Sequence, residues 1–221
     1  MTVTFIFCYT SAVNMSVMNQ QLKDQYDSLY ASKKDFYGVE PVSAVRDLCE
    51  YIFTGSVLDI GGGEGRNALY LAEKGFTVTV YDLSKIGIQK LQLAAKEKHL
   101  TIQTKVTDIL SDRIEGDYDV VVNSFVLHHM AERDAQRVIK KAQKHTSDSG
   151  VHVLTTFSNE GGLYERNKLS GRFYPDHMCV AALYVDWEML SLTTHKMTTK
   201  AKDKQGVPMQ NQVVTLVARK C

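Results

Sequence analysis

The segment over residues 57–82, VLDIGGGEGRNALYLAEKGFTVTVYD, constrains the fold of this chain more than any other. An apolar run ends at Asp59, a burst of glycines follows, a helical pattern comes next, and a second apolar run ends at Asp82. This order is typical of the first βαβ unit of a doubly wound sheet, where a ligand binds beyond the carboxyl ends of the strands. The segment therefore predicts an α/β protein with a nucleotide-like cofactor at the turn.

Alternating strand and helix patterns continue to residue 157. Helices are predicted over 18–33, 41–55, 67–75, 84–98 and 131–145, strands at 57–60, 76–82, 101–109, within 117–127 and at 151–157, and a turn at 147–150. Two long strand patterns, 187–200 and 209–220, then follow with only a polar loop between them. The prediction is a Rossmann-like sheet of seven strands, mostly parallel, with a C-terminal antiparallel β-hairpin at its edge.

The chain of 221 residues is long enough for one domain with a sizeable core, and we assign that domain to residues 18–221. Residues 1–17 form an N-terminal extension with three open interpretations: a loose tail, an added edge strand, or a translated stretch that precedes a true start at Met15 or Met18. The extension lacks the basic region of a secretory signal, and polar residues interrupt the run of about 20 apolar residues that a membrane span needs.

Composition excludes several classes of partner. The formal net charge is +1, so no global bias towards nucleic acid or an anionic membrane is expected. The four cysteines are far apart and form no CxxC pair, which disfavours a zinc site or a disulfide framework and favours a reducing, cytoplasmic environment. We expect a monomer or homodimer that acts on a small molecule and uses no metal.

The spacing of the glycines discriminates between cofactors. Gly61 and Gly63 begin a dinucleotide fingerprint, but the third glycine falls at Gly65 and not at position 66, so GxGxG replaces GxGxxG. Asp82 lies 21 residues after Gly61, the separation expected for a carboxylate that binds two ribose hydroxyls.

Asp59 also distinguishes between the candidate cofactors. A carboxylate beside the turn would face the pyrophosphate of NAD, and two like charges about 5 Å apart repel by about 3 kcal/mol at an effective dielectric of about 20. S-adenosylmethionine has no phosphate and carries an ammonium and a sulfonium, which a nearby acid favours. The pattern therefore favours S-adenosylmethionine.

The motifs VLDIGGGEGRN, VYD at 80–82 and TDIL at 107–110, with the final hairpin, resemble class I S-adenosylmethionine-dependent methyltransferases over about residues 20–220. Within that superfamily, DWEML at 186–190 and TLVARK at 215–220 are similar to the tellurite-resistance methyltransferases. Gly62 stands where that family usually has cysteine, and residues 158–180 do not clearly match it.

The resemblance implies a set of cofactor contacts at the carboxyl ends of the predicted strands 57–60, 76–82, 101–109 and 117–127. The implied cofactor-binding residues are Asp59, Gly61, Gly63, Gly65, Asn67, Asp82, Leu83, Asp108, Ile109 and Asn123.

Two groups of residues are candidates for the acceptor side. His128 and His129 are the catalytic candidates, with at most one expected to face the site because adjacent side chains point in different directions. Candidate substrate contacts are Tyr26 and Tyr30 on a helix that often forms a lid in this superfamily, and Tyr164, Arg166, Arg172 and Tyr174 after the fifth strand. The lysines around the terminal hairpin loop, Lys200 among them, are interpreted as a solubilising edge.

Two other functions stay open at the level of sequence. An NAD-dependent oxidoreductase shares the first half of the fold but would need the missing glycine. A non-catalytic subunit that binds S-adenosylmethionine would be expected to have a degraded cofactor site, and this one is intact. We therefore predict a methyltransferase acting on a small acceptor, such as a tellurite-like oxyanion, a thiol or another metabolite.

Overall fold

A computed structural model describes residues 19–221 of the chain. The predicted extension over residues 1–17, both candidate starts and Cys8 lie outside the described residues. The strands are β1 Ser56–Ile60, β2 Thr77–Asp82, β3 Ile102–Val106, β4 Tyr118–Ser124, β5 Thr146–Gly161, β6 Trp187–Lys202 and β7 Pro208–Lys220.

The seven strands form one sheet in the order β3-β2-β1-β4-β5-β7-β6. Strands β1 to β5 pair in parallel, while β7 lies between β5 and β6 and runs antiparallel to both. The predicted fold class is therefore confirmed, including the C-terminal hairpin. The strand order reverses between β1 and β4, which is where an open α/β sheet forms its ligand crevice.

Helices cover both faces of the sheet. The first, α1, is helical from residue 19 to residue 32, and it is followed by α2 Ser43–Asp47, α3 Arg66–Glu73, α4 Lys85–Glu97, α5 Glu132–Lys144, α6 Gly162–Asn167 and α7 His177–Leu183. The α4 cap is as predicted, since the Ser84 side chain accepts a hydrogen bond from the Gly87 amide at 3.0 Å. No helix within residues 19–221 combines the length and the apolar composition needed to cross a bilayer.

Three predicted boundaries are wrong. The third strand, expected over 101–109, ends at Val106. The helix expected over 41–55 ends early, as α2 and a short 3₁₀ turn at Leu48–Glu50, because the following stretch contains β-branched residues and glycine of low helix propensity. The turn expected over 147–150 is part of β5, where Ser149 has a left-handed φ of 61° and the pairing with β4 shifts register. Its polar residues and glycine thus form a bulge and not a reversal of the chain. The prediction fails because a bulge has the same residue composition as a turn.

Candidate active site

A cavity of about 680 Å³ opens at the carboxyl ends of β1, β2 and β4. Its wall combines the glycine turn after β1, the end of β2, the loops after β3 and β4, helix α1, the segment around Tyr37 and the distal part of β6. The predicted crevice and the cavity therefore coincide, and parts of the chain distant in sequence meet there.

The glycine turn has a backbone that other residues would strain. Gly61, Gly63 and Gly65 have φ values of 72°, 56° and 89°, all in the left-handed region. A Cβ atom at Gly61 would overlap the Val126 side chain, and one at Gly63 would overlap the Tyr30 hydroxyl. Close approach of neighbouring side chains therefore requires glycine here independently of the backbone conformation.

Asp82 ends β2 and lies in the cavity wall. One carboxylate oxygen accepts a hydrogen bond from the Gly63 amide at 2.8 Å, and the other accepts one from the Ser84 amide at 2.7 Å. Burial raises the pKa of this carboxyl to about 6, against the opposing effect of the two amides. The geometry presents two oriented oxygens to the cavity, as binding of a ribose diol requires.

Asp59 lies directly behind the glycine turn and is 1% exposed. Neither of its carboxylate oxygens has a hydrogen-bond partner among the described residues. Burial, followed by repulsion from Asp82, raises the pKa of Asp59 to about 7. An orphaned buried acid beside the turn fits a cationic ligand and opposes a phosphate.

The remaining predicted cofactor residues occupy different positions relative to the cavity. Asp108 lies in the wall, where its carboxylate accepts hydrogen bonds from the Leu110 amide at 2.9 Å and the Asn19 side chain at 2.6 Å. Asn67 also lines the cavity, but its side-chain oxygen accepts a hydrogen bond from the Val42 amide at 3.0 Å, which joins α3 to the start of α2. Leu83 and Ile109 line the wall as predicted.

Asn123 does not form part of the wall. It is fully buried near the end of β4, and its amide oxygen and nitrogen have no partner among the described residues. Its neighbour Ser124 reaches the cavity, and the Ser124 hydroxyl is equally unpaired there. The sequence places Ser124 with Asn123 at the end of the fourth strand, close to the expected position of the reactive methyl group, but only Asn123 is among the predicted cofactor-binding residues.

Both histidines line the cavity, so the expectation that at most one would face it is wrong. They lie in a 3₁₀ turn, Leu127–His129, that follows the left-handed Phe125, and their rings are only 3.9 Å apart. The His129 Nε2 atom and the Tyr26 hydroxyl share a hydrogen bond of 2.7 Å.

The two imidazoles are held neutral. Burial, together with the positive charge of Arg172, lowers the pKa of His129 to about 4. Burial also lowers the pKa of His128 well below its ordinary value, with further contributions from His129 and Arg172. The pair can therefore donate and accept hydrogen bonds but resists protonation.

The predicted substrate residues divide into two groups. Tyr26 and Tyr30, on α1, line the cavity. Tyr164 and Tyr174 pack instead in a small hydrophobic cluster with Phe157, and Arg166 donates a hydrogen bond to the Lys202 carbonyl oxygen.

Arg172, Arg166, Tyr164 and Tyr174 are not in the cavity wall. Arg172 is half-buried, and its positive charge contributes to the lowered pKa of both histidines. These four side chains lie beside the cavity and not in its wall. The Tyr174 ring lies 5.8 Å from that of Tyr164 and 6.2 Å from that of His128, and the stretch that carries Tyr164 and Arg166 folds into α6 and packs on β5 and β7.

Lys200 is a wall residue that the sequence assigned to a solubilising edge. Its ammonium donates a hydrogen bond to the Phe36 carbonyl oxygen and lies 4.7 Å from the centroid of the Phe36 ring. This contact joins positions 164 residues apart in the sequence. The local sequence of the hairpin carries no signal of it.

These residues fit S-adenosylmethionine. The oriented Asp82 carboxylate suits a ribose, the orphaned Asp59 suits a cationic amino-acid portion, and the glycine turn lets a ligand approach the backbone. Fold and site together define a class I S-adenosylmethionine-dependent methyltransferase.

Comparison with known proteins identifies the family. The profile of the family described as "Tellurite resistance protein TehB" matches residues 15–217. The chain is 26% identical over 196 residues to the "Probable S-adenosyl-L-methionine-dependent methyltransferase TehB" of Haemophilus influenzae strain 10810, covering 86% of this chain and 68% of that protein. The chain belongs to the TehB family, so the predicted family, enzyme class and methyl donor are confirmed.

Solved structures agree with this placement. The crystal structure of TehB from Haemophilus influenzae has a TM-score of 0.70 and 25% identity, covering 80% of this chain and 61% of that one. Magnesium protoporphyrin IX methyltransferase from Synechocystis PCC 6803, crystallised with S-adenosylhomocysteine, has a TM-score of 0.69 at 17% identity, which shows the shared fold. The chain thus spans less than two thirds of the TehB chain in the Haemophilus influenzae crystal structure.

Proposed function

We propose that this protein transfers a methyl group from S-adenosylmethionine to a small molecule whose nucleophilic atom is already unprotonated near neutral pH. An oxyanion of the tellurite type, a thiolate and a similar chalcogen anion meet this requirement. The observation that carries the proposal is the pair of adjacent neutral histidines, His128 buried and His129 half-buried, beside the Tyr26 hydroxyl.

The energetics of proton transfer decide against a histidine base. Moving a proton from a thiol of ordinary pKa, about 8.5, to His129, whose pKa is lowered to about 4, costs about 6 kcal/mol. An alcohol would cost considerably more. An acceptor that arrives as an anion avoids this cost, so the histidines and Tyr26 act by orienting it through hydrogen bonds.

The residues around the glycine turn hold the methyl donor. Asp82 would accept hydrogen bonds from the ribose, Asp108 from the adenine amine, and Asp59 would attract the ammonium. Leu83 and Ile109 would contact the adenine, and the glycines would admit the methionine portion. When bound, the cofactor supplies a methyl group on a sulfonium, whose sulfur leaves as a neutral thioether.

Catalysis then depends on alignment and exclusion of water. Holding two reactants in line lowers the activation barrier by about 7–11 kcal/mol. Tyr26 and Tyr30 on α1, with Tyr37 in the following segment, cover the cavity and keep bulk water from the acceptor.

Location and acceptor class rest on composition. Free cysteines at Cys49 and Cys179 support a reducing, cytoplasmic location, and the near-neutral net charge supports a small-molecule acceptor over nucleic acid.

The test is the pH dependence of kcat/KM for two thiols that differ in the pKa of their sulfur, benzenethiol and 2-phenylethanethiol. We expect the acidic limb of each profile to follow the ionisation of the thiol itself, and to keep its position in His129→Gln. An acidic limb that falls at the same pH for both thiols and disappears in His129→Gln would identify an enzymic base and contradict the proposal.

A further inference from the structure

Two cations in the cavity wall, Arg66 and Lys200, lack a carboxylate partner among residues 19–221. The Arg66 guanidinium donates a hydrogen bond to the Tyr37 carbonyl oxygen at 3.3 Å, and the Lys200 ammonium donates one to the Phe36 carbonyl oxygen. Adjacent carbonyl groups of one segment are thus the only described acceptors for both charges. Neutral dipoles orient a cation but do not neutralise it.

Two of the four acids of the same wall, by contrast, are paired with cations. One carboxylate oxygen of Glu64 forms an ion pair of 3.0 Å with Lys90, and the other accepts the Phe36 amide at 2.7 Å. Asp134 pairs with Arg137 at 3.2 Å.

Asp82 and Asp108, the other two acids of the wall, accept hydrogen bonds only from amide groups and are assigned to the methyl donor. Arg66 and Lys200 are therefore the wall cations that no described carboxylate neutralises.

Burial makes the unpaired positive charge of Arg66 less favourable. Burial lowers the pKa of the Arg66 guanidinium, which records a desolvation cost that an anion would offset. Asp59 attracts Arg66 from beyond ion-pair distance, but its carboxylate, behind the glycine turn, is assigned to the ammonium of the methyl donor. Because Arg66 lines the cavity, an anion bound there would lie within reach of the guanidinium.

An apolar path leads from these cations to the histidines. The Arg66 Cζ atom lies 5.9 Å from the centroid of the Phe125 ring, which in turn lies 4.9 Å from that of Phe157. The Phe157 ring is 4.9 Å from the ring of His128. Aromatic side chains of the cavity wall thus separate the cationic end from the hydrogen-bonding end.

We propose that Arg66 and Lys200 recognise an anionic group on the methyl acceptor that is distinct from the atom receiving the methyl group. The preferred acceptor carries a carboxylate or a similar anion joined to its nucleophilic atom through an apolar or aromatic spacer. This inference rests on the proposed function and specifies the chemical class of its substrate.

The experiment compares benzenethiol with 3-mercaptobenzoate, at a pH where both sulfurs are ionised. Binding of each thiol to the complex with S-adenosylhomocysteine is measured by calorimetry, and KM is measured with S-adenosylmethionine. We expect the carboxylate to improve both constants by about 10- to 100-fold in the unaltered protein, as charge-assisted hydrogen bonds do.

Variants separate recognition from folding and cofactor binding. Lys200→Met and Arg66→Gln are each expected to lose most of the preference for 3-mercaptobenzoate, and to bind benzenethiol and S-adenosylhomocysteine as before. Arg66→Lys, which keeps the charge, is expected to retain part of the preference. Lys196→Met is the matched control, since both lysines are exposed and lie on the same strand. It is expected to retain all of the preference because Lys196 lies outside the cavity wall.

Equal affinity for the two thiols in the unaltered protein would overturn the inference, as would a preference that survives in Lys200→Met and Arg66→Gln. Loss of S-adenosylhomocysteine binding in Arg66→Gln would assign Arg66 to the cofactor and likewise overturn its role. Failure of the proposed function would look different: an acidic limb common to both thiols and lost in His129→Gln would contradict it, whether or not the protein prefers 3-mercaptobenzoate.

Discussion

Replacing Asp82 by alanine is expected to weaken the binding of S-adenosylmethionine by roughly 10- to 100-fold, the range for hydrogen bonds to a charged group. The Gly63 and Ser84 amides fix the carboxylate at 2.8 and 2.7 Å, so its oxygens are oriented before any ligand arrives. The variant loses both the acceptor for the ribose and the support of the glycine turn. Calorimetric titration measures the effect directly.

Asp176→Ala is the matched control for this substitution. The Asp176 carboxylate also accepts a backbone amide, that of Cys179 at 2.7 Å, but it caps α7 outside the cavity wall. The Asp176→Ala substitution is expected to lower the free energy of unfolding by about 1 kcal/mol, as loss of a helix cap does, and to leave the affinity for S-adenosylmethionine unchanged. Unchanged affinity in Asp82→Ala would contradict the assignment of the ribose to this residue.

Replacing Gly61 by alanine is expected to lower the free energy of unfolding by about 2–5 kcal/mol. A left-handed φ of 72° costs a residue with a Cβ atom about 1–2 kcal/mol. The new atom would also overlap Val126, and overpacking of this kind costs about 1–3 kcal/mol more. Urea denaturation gives the value.

Gly75→Ala isolates the part of this cost that comes from backbone conformation. Gly75 has a φ of 92°, and a Cβ atom there would meet nothing within 4 Å. The control should therefore lose only about 1–2 kcal/mol. If both alanine variants lost the same amount, the close packing of Val126 against the glycine turn would not contribute to stability.

Local patterns were sufficient to predict the framework of the site. The glycine turn and Asp82 were found because their backbone conformation and spacing depend on neighbouring residues in one βαβ unit. The hairpin was equally clear, since two long strand patterns with no helix between them leave few alternatives. Asp59 was singled out by its charge, and the structure adds that its carboxylate is buried without a partner among the described residues.

The acceptor side could not be predicted in the same way. Lys200 reaches the cavity through contacts with Phe36 that only the tertiary structure brings together. The two histidines face the same cavity because a 3₁₀ turn follows a left-handed Phe125, a conformation that no composition rule anticipates at a phenylalanine. The sequence predicts substrate contacts in the stretch containing Arg166, yet this stretch forms α6 and packs against the sheet.

The most direct test of the account is calorimetric titration of the protein with S-adenosylmethionine, S-adenosylhomocysteine and NADH in parallel. We expect micromolar binding of both adenosyl compounds and no signal with NADH, because Asp59 favours a cationic ligand and opposes a pyrophosphate. Binding of NADH without binding of either adenosyl compound would contradict the central claim that this glycine turn holds a methyl donor.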